Sequence, residues 1–158
     1  MLKLSFKETK VVHSKKATIV MIKAAIKPSV YALGMENIKW FIDHPFTDSL
    51  KGNVTVVGKA ICNDGDTYDP VIGERLAESR AKIKLYKFMV CLLNRVFSSK
   101  LRELWGSGTH ISPVFIKKDR QSLVGTCEKY NRLLQKEKEH LEKLLKDVGY
   151  EPHSKSPK

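Results

Sequence analysis

A chain of 158 residues is long enough to close one hydrophobic core unaided, and with 42% hydrophobic and 29% charged residues it is excluded from the wholly disordered class. Its 29 Lys and Arg against 17 Asp and Glu give a formal net charge of +12, a field that attracts polyanions such as nucleic acid or nucleoprotein. The cysteines Cys62, Cys91 and Cys127 show no disulfide or zinc spacing and read as buried small side chains in a reducing compartment; with no secretory pattern and no membrane-spanning apolar run, a cytoplasmic protein without a membrane partner is expected.

Leu2, Leu4 and Phe6 alternate with Lys3, Ser5 and Lys7, the period-two pattern of a strand with one buried face. A polar turn at 13–16 leads into 17–26, a β-branched run ending ahead of Pro28 that reads as a second strand. At 31–44, Ile38, Phe41 and Ile42 fall at helical spacing beside Trp40 and stop before Pro45, so a short helix is expected. Residues 54–62 read as a third strand, in which Gly58 marks a bulge or a close approach of another backbone.

Asp69-Pro70 then supplies an N-cap and a residue suited to the first helical position. A central helix is expected over 70–97. Ala77, Ala81, Leu85, Phe88, Leu92 and Val96 fall on one of its faces, and Ile72, Leu76, Ile83, Tyr86, Val90 and Phe97 on another, which implies burial on two sides. A short helical extension is read at 98–104, a linker at 106–118, a helix at 119–148 and a disordered tail at 149–158. In the last helix Leu123, Cys127, Tyr130, Leu134, Glu137, Leu141, Leu144 and Val148 form a heptad-like seam broken by Glu137. That seam either folds back on its own domain or serves a coiled coil, with a homodimer as one outcome. The fold expected is α+β: a small antiparallel sheet of about three strands packed on a long central helix, in a basic domain spanning 1–105, plus a C-terminal amphipathic helix.

Between positions 80 and 102 stand Arg80, Lys82, Lys84, Lys87, Arg95, Lys100 and Arg102 and no acidic residue. Arg80, Lys84, Lys87 and Arg95 share the helical arc left free by the two apolar stripes. From Arg80 to Arg95 they span about 22 Å, enough to follow several phosphates. Lys3, Lys7, Lys10, Lys15, Lys16, Lys23 and Lys27 add charge on the first two strands. Tyr31, Trp40, Tyr68 and Trp105 are scattered and read as anchors rather than base-stacking platforms. Asp64, Asp66, Asp69 and Glu74 suit turn formation and helix capping and lack the spacing of a calcium loop. With five dispersed histidines and no phosphate loop or nucleophile motif, neither an enzyme nor a cofactor is expected.

Gly58, Ala60 and Cys62 at alternate positions, followed by Asp66, Tyr68 and Asp69 and then by Gly73, Ala77 and Arg80-Ala81-Lys82, resemble a module of small accessory proteins encoded by bacteriophages and other mobile elements. That resemblance covers residues 58–82 and implies a context rather than an activity. The residues themselves favour a non-enzymatic nucleic-acid-binding protein making phosphate contacts. The alternatives are an inhibitor of a host defence complex, such as an anti-CRISPR, that occupies an acidic protein surface, and a receptor for small anionic nucleotides held by Arg80 and Lys84.

Overall fold

A computed structural model describes residues 2–27, 35–47, 52–63, 67–106 and 113–149, with backbone alone at 35–38, 100–106 and 113–120. Strands β1 (Lys3–His13) and β2 (Ala17–Lys27), helix α1 (Met35–Asp43), strand β3 (Asn53–Ile61) and helices α2 (Pro70–Gly106) and α3 (Pro113–Asp147) follow in chain order. The strands form an antiparallel sheet in the order β1-β2-β3. This is the α+β architecture expected.

Alternation in the sequence decides which sheet face is covered. Thr18, Val20, Ile22, Ala24 and Ile26 of β2 are buried on the same face as Val54, Val56, Gly58 and Ala60 of β3. Strand β1 adds half-buried Leu4 and Val11 to that face and is otherwise largely exposed. The bulge lies in β1, between Phe6 and Glu8, not at Gly58. It turns Lys7 across β2, so that its Nζ donates to Asn53 Oδ1 on β3 at 2.8 Å.

Helix α2 lies on the covered face, and Gly58 is where the two backbones meet: a Cβ placed there would fall on the Ala77 carbonyl oxygen and crowd Ala81 N. The stripe Ala77, Ala81, Leu85, Phe88, Leu92 and Val96 is buried throughout. The second stripe faces α3, which runs back along α2. Ser79 Oγ donates to Glu137 O at 3.4 Å, the Tyr86 and Tyr130 rings lie 6.5 Å apart, and Cys127 Sγ meets Asn94 Oδ1 at 3.3 Å. Leu123, Cys127, Tyr130 and Leu134 thus pack on the chain's own core, the folded-back alternative for the heptad-like seam. Tyr130 also fastens α3 to the outer edge of β1, its hydroxyl accepting Leu4 N–H at 2.8 Å.

Two boundaries differ from expectation. Helix α2 continues unbroken to Gly106, and α3 begins at Pro113, inside the stretch read as linker. A proline costs nothing at a first helical position, where its missing N–H has no intrahelical acceptor. Helix α1 is described over Met35–Asp43; residues 31–34, with Tyr31, and the tail at 150–158 lie outside the described residues. The cysteines form no disulfide among the described residues and are not buried, Cys91 being exposed and Cys62 and Cys127 half-buried.

Helix α1 and the loop after it close on Phe88, whose ring contacts Trp40 at 5.6 Å, Phe41 at 5.9 Å, His44 at 4.7 Å and Phe46 at 6.2 Å. Burial among these rings holds His44 below its ordinary value of 6.5, and its Nδ1 accepts Phe46 N–H at 3.3 Å, which requires the neutral ring. The unfolded chain therefore binds this proton more readily. The contribution of His44 is fully present above about pH 6.5 and is lost as pH falls through the lower folded value. Melting temperature should drop between pH 7.5 and 5.5, and the drop should shrink in His44→Gln; an equal drop in both proteins would remove His44 as its source.

Candidate nucleic-acid interface

The outer edge of β3 is covered by side chains of α2 and by the loop after α1. Thr55, Val57 and Lys59 turn their backbone groups away from β2. Thr55 N–H donates to Phe46 O at 2.7 Å, Lys84 Nζ donates to Val57 O at 2.7 Å and Arg80 Nη1 donates to Lys59 O at 2.6 Å. The spacing explains the match. Residues two apart on a strand step by about 6.6 Å, and residues four apart on a helix by about 6 Å, so Arg80 and Lys84 on an antiparallel helix meet successive outward carbonyls. The arrangement also closes an edge that would otherwise template pairing with another chain.

Each bond uses one donor. A guanidinium has five and an ammonium three, so both head groups keep donors facing solvent while their positions are fixed. Lys59 and Lys87 are exposed beside them. Among the described residues the ion pairs are Lys10 and Lys23 with Glu8, Lys82 with Glu78, His13 with Glu74 and His140 with Glu137. None of these neutralises Arg80, Lys84, Lys87 or Lys59. Among the described residues the edge is a row of positive charge without a paired carboxylate, with two of its members held in place.

Of the four residues expected to act together, the structure seats Arg80 and Lys84 on the β3 edge, leaves Lys87 exposed about one turn further along α2, and assigns Arg95 a different local partner. The Arg95 guanidinium lies 5.0 Å from the centroid of Trp40, whose indole stacks on Phe88. That indole is an anchor, as expected, and so is Tyr68; the side chain of Trp105 lies outside the described residues. Lys59 is the member that helix periodicity missed. Its place in the β3 alternation, on the face away from Val56 and Ala60, is the signal that finds it.

At the other end of α2 a polar network fastens the sheet to the helix start. The Tyr68 hydroxyl and Thr18 Oγ1 bond each other at 2.5 Å, and both approach His13 Nδ1, at 3.1 Å and 3.2 Å. His13 Nε2 lies 3.8 Å from Glu74. Gly73 fits here because a Cβ would meet Thr18 Oγ1 at 2.5 Å. Asp69 caps α2 as expected, accepting from Val71 N at 2.8 Å and Ile72 N at 3.2 Å; Asp64 and Asp66 lie outside the described residues. The bonds within this network account for its hydroxyls and its ring nitrogens, and it reads as a clasp. No helix among the described residues is long and apolar enough to cross a membrane. No protein-family model, curated protein or solved structure matches the chain.

Proposed function

We propose that this chain is a non-enzymatic nucleic-acid-binding protein that holds phosphates along the edge formed by β3 and α2. The observation that carries the reading is the pair Arg80 and Lys84, seated at 2.6 Å and 2.7 Å on neighbouring β3 carbonyls with no carboxylate paired to them among the described residues. Their separation is of the order of one phosphate step along a strand, and Lys59 and Lys87 extend the row. Phosphate contacts of this kind fix register and orientation without reading bases. Both bonds are solvent-exposed, which suits an extended polyanion better than an enclosed nucleotide.

Fluorescence anisotropy with single-stranded and duplex DNA and RNA across a salt series tests this. Four phosphate contacts on duplex DNA predict a slope of log K against log salt near about −3.6, falling by about 0.9 for each contact removed. The variant Arg80→Gln/Lys84→Gln/Lys87→Gln keeps amide donors but loses the charge. It should bind at least about tenfold more weakly at physiological salt. Salt-independent binding, or a variant that binds like the parent, would remove this edge as the site.

A further inference from the structure

The face of the sheet turned away from α2 carries a second surface. Its register sets Lys10, Met21 and Val57 in one row, Val12, Ile19 and Lys59 in the next, and Ala17 with Ile61 in the last. Val12 and Ile61 are 60% and 70% exposed, with Ile19, Met21 and Val57 half-buried between them. The apolar patch spans three strands, about 10 Å across, and from Val57 to Ile61 about 13 Å along them. Lys10, Lys23 and Lys59 border it, and Lys3, Lys7 and Lys27 stand further along the same face, with Glu8 as the counter-charge shared by Lys10 and Lys23.

We infer that this face docks an amphipathic, acidic helix of a protein partner, its apolar stripe on Val12, Ile19, Met21, Val57 and Ile61 and its carboxylates on Lys10, Lys23 and Lys59. Size and charge together select that occupant. A helix is about 10 Å in diameter, the width of the patch. A second copy would bring lysine against lysine. A nucleic-acid strand would find aliphatic side chains here and no ring on which to stack a base. Strand addition at β3 is obstructed, where Phe46 already takes the Thr55 N–H and Lys84 and Arg80 the Val57 and Lys59 carbonyls. The inference shares Lys59 with the phosphate edge but otherwise uses the opposite sheet face, and neither Arg80 nor Lys84.

The probe is a fluorescein-labelled peptide of about three heptads, with leucines on one helical face and glutamates on the other, titrated into the full chain. A control peptide has the same composition in an order without the stripe. The striped peptide should bind, shift the Met21 ε-methyl resonance, and bind Val12→Glu/Ile61→Glu at least about tenfold more weakly. Both substituted side chains are largely exposed, so this variant should melt like the parent. Lys10→Glu/Lys59→Glu, which leaves the apolar patch intact, should also weaken binding. Arg80→Gln/Lys84→Gln should leave it unchanged. Equal binding of the control peptide, or full affinity in both Val12→Glu/Ile61→Glu and Lys10→Glu/Lys59→Glu, would overturn the inference. So would a parent dimer that Ile61→Glu dissolves, or an oligonucleotide that displaces the peptide from Met21.

Discussion

Gly58→Ala should destabilise the domain by about 3 kcal/mol or more, while Gly125→Ala should stabilise it by about 0.5–1 kcal/mol. The two substitutions add the same methyl group to opposite surroundings. At Gly58 the new Cβ falls on the Ala77 carbonyl and against Ala81 N, backbone atoms of a helix that cannot rotate aside as a side chain would. Relief requires α2 to lift from β3, opening the buried row Ala77, Ala81 and Leu85. The conformation of Gly58 is ordinary for a strand, since the positive φ values belong to Gly52 and Gly149, so space alone decides the cost. At Gly125, in the body of α3, an added Cβ meets nothing within 4 Å and only the helix-weakening freedom of glycine is removed. Thermal melts read both signs. At about 2–4 °C per kcal/mol for a chain of this size, Gly58→Ala should melt at least about 6 °C below the parent. A Gly58→Ala protein melting with the parent would mean that strand and helix are not in backbone contact.

Phe88→Ala should cost about 3–5 kcal/mol, and its damage should be local before it is global. Among the described residues Phe88 is the one ring that touches Trp40, Phe41, His44 and Phe46 together, so it joins α1 and the following loop to α2. Removing it leaves a cavity beneath Phe41, which is fully buried, and strips one face of the Trp40 indole. The tryptophan emission should shift to longer wavelength below the global melting temperature. Phe88→Leu, which keeps most of the volume, should show a smaller loss and a smaller shift. If the emission changes only with global unfolding, Phe88 does not hold α1 in place on its own.

The sheet and the central helix were legible because periodicity reports on one element at a time. Val20, Ile22 and Ala24 alternate, the two stripes of α2 recur at helical intervals, and Asp69-Pro70 marks the helix start, and each is seated accordingly. The start of α3 was not legible, because Gly106, Ser107 and Gly108 gave 106–118 the composition of a linker although Pro113 already opens a helix. The basic strip was legible as charge but not as geometry. A helical wheel places Arg80, Lys84, Lys87 and Arg95 off the apolar stripes. That α2 lies antiparallel beside β3, so that two of them bond Val57 and Lys59 carbonyls, depends on how two elements are placed against each other. Lys59 was hidden for the same reason, since it joins the row across a loop and a change of element.

Helix α2 has 37 residues, about 56 Å of helix, whereas the nine residues of β3 reach about 30 Å. Among its residues with described side chains the buried ones end at Val96, about 39 Å along the helix. Amide protection should therefore be graded along one continuous helix. Protons between Ala77 and Leu93 should exchange only when the whole domain opens, and those beyond Val96 should exchange in a smaller, cheaper opening of the helical hairpin alone. An unbroken helix would thus span two cooperative units, with the boundary between them set by where the sheet ends.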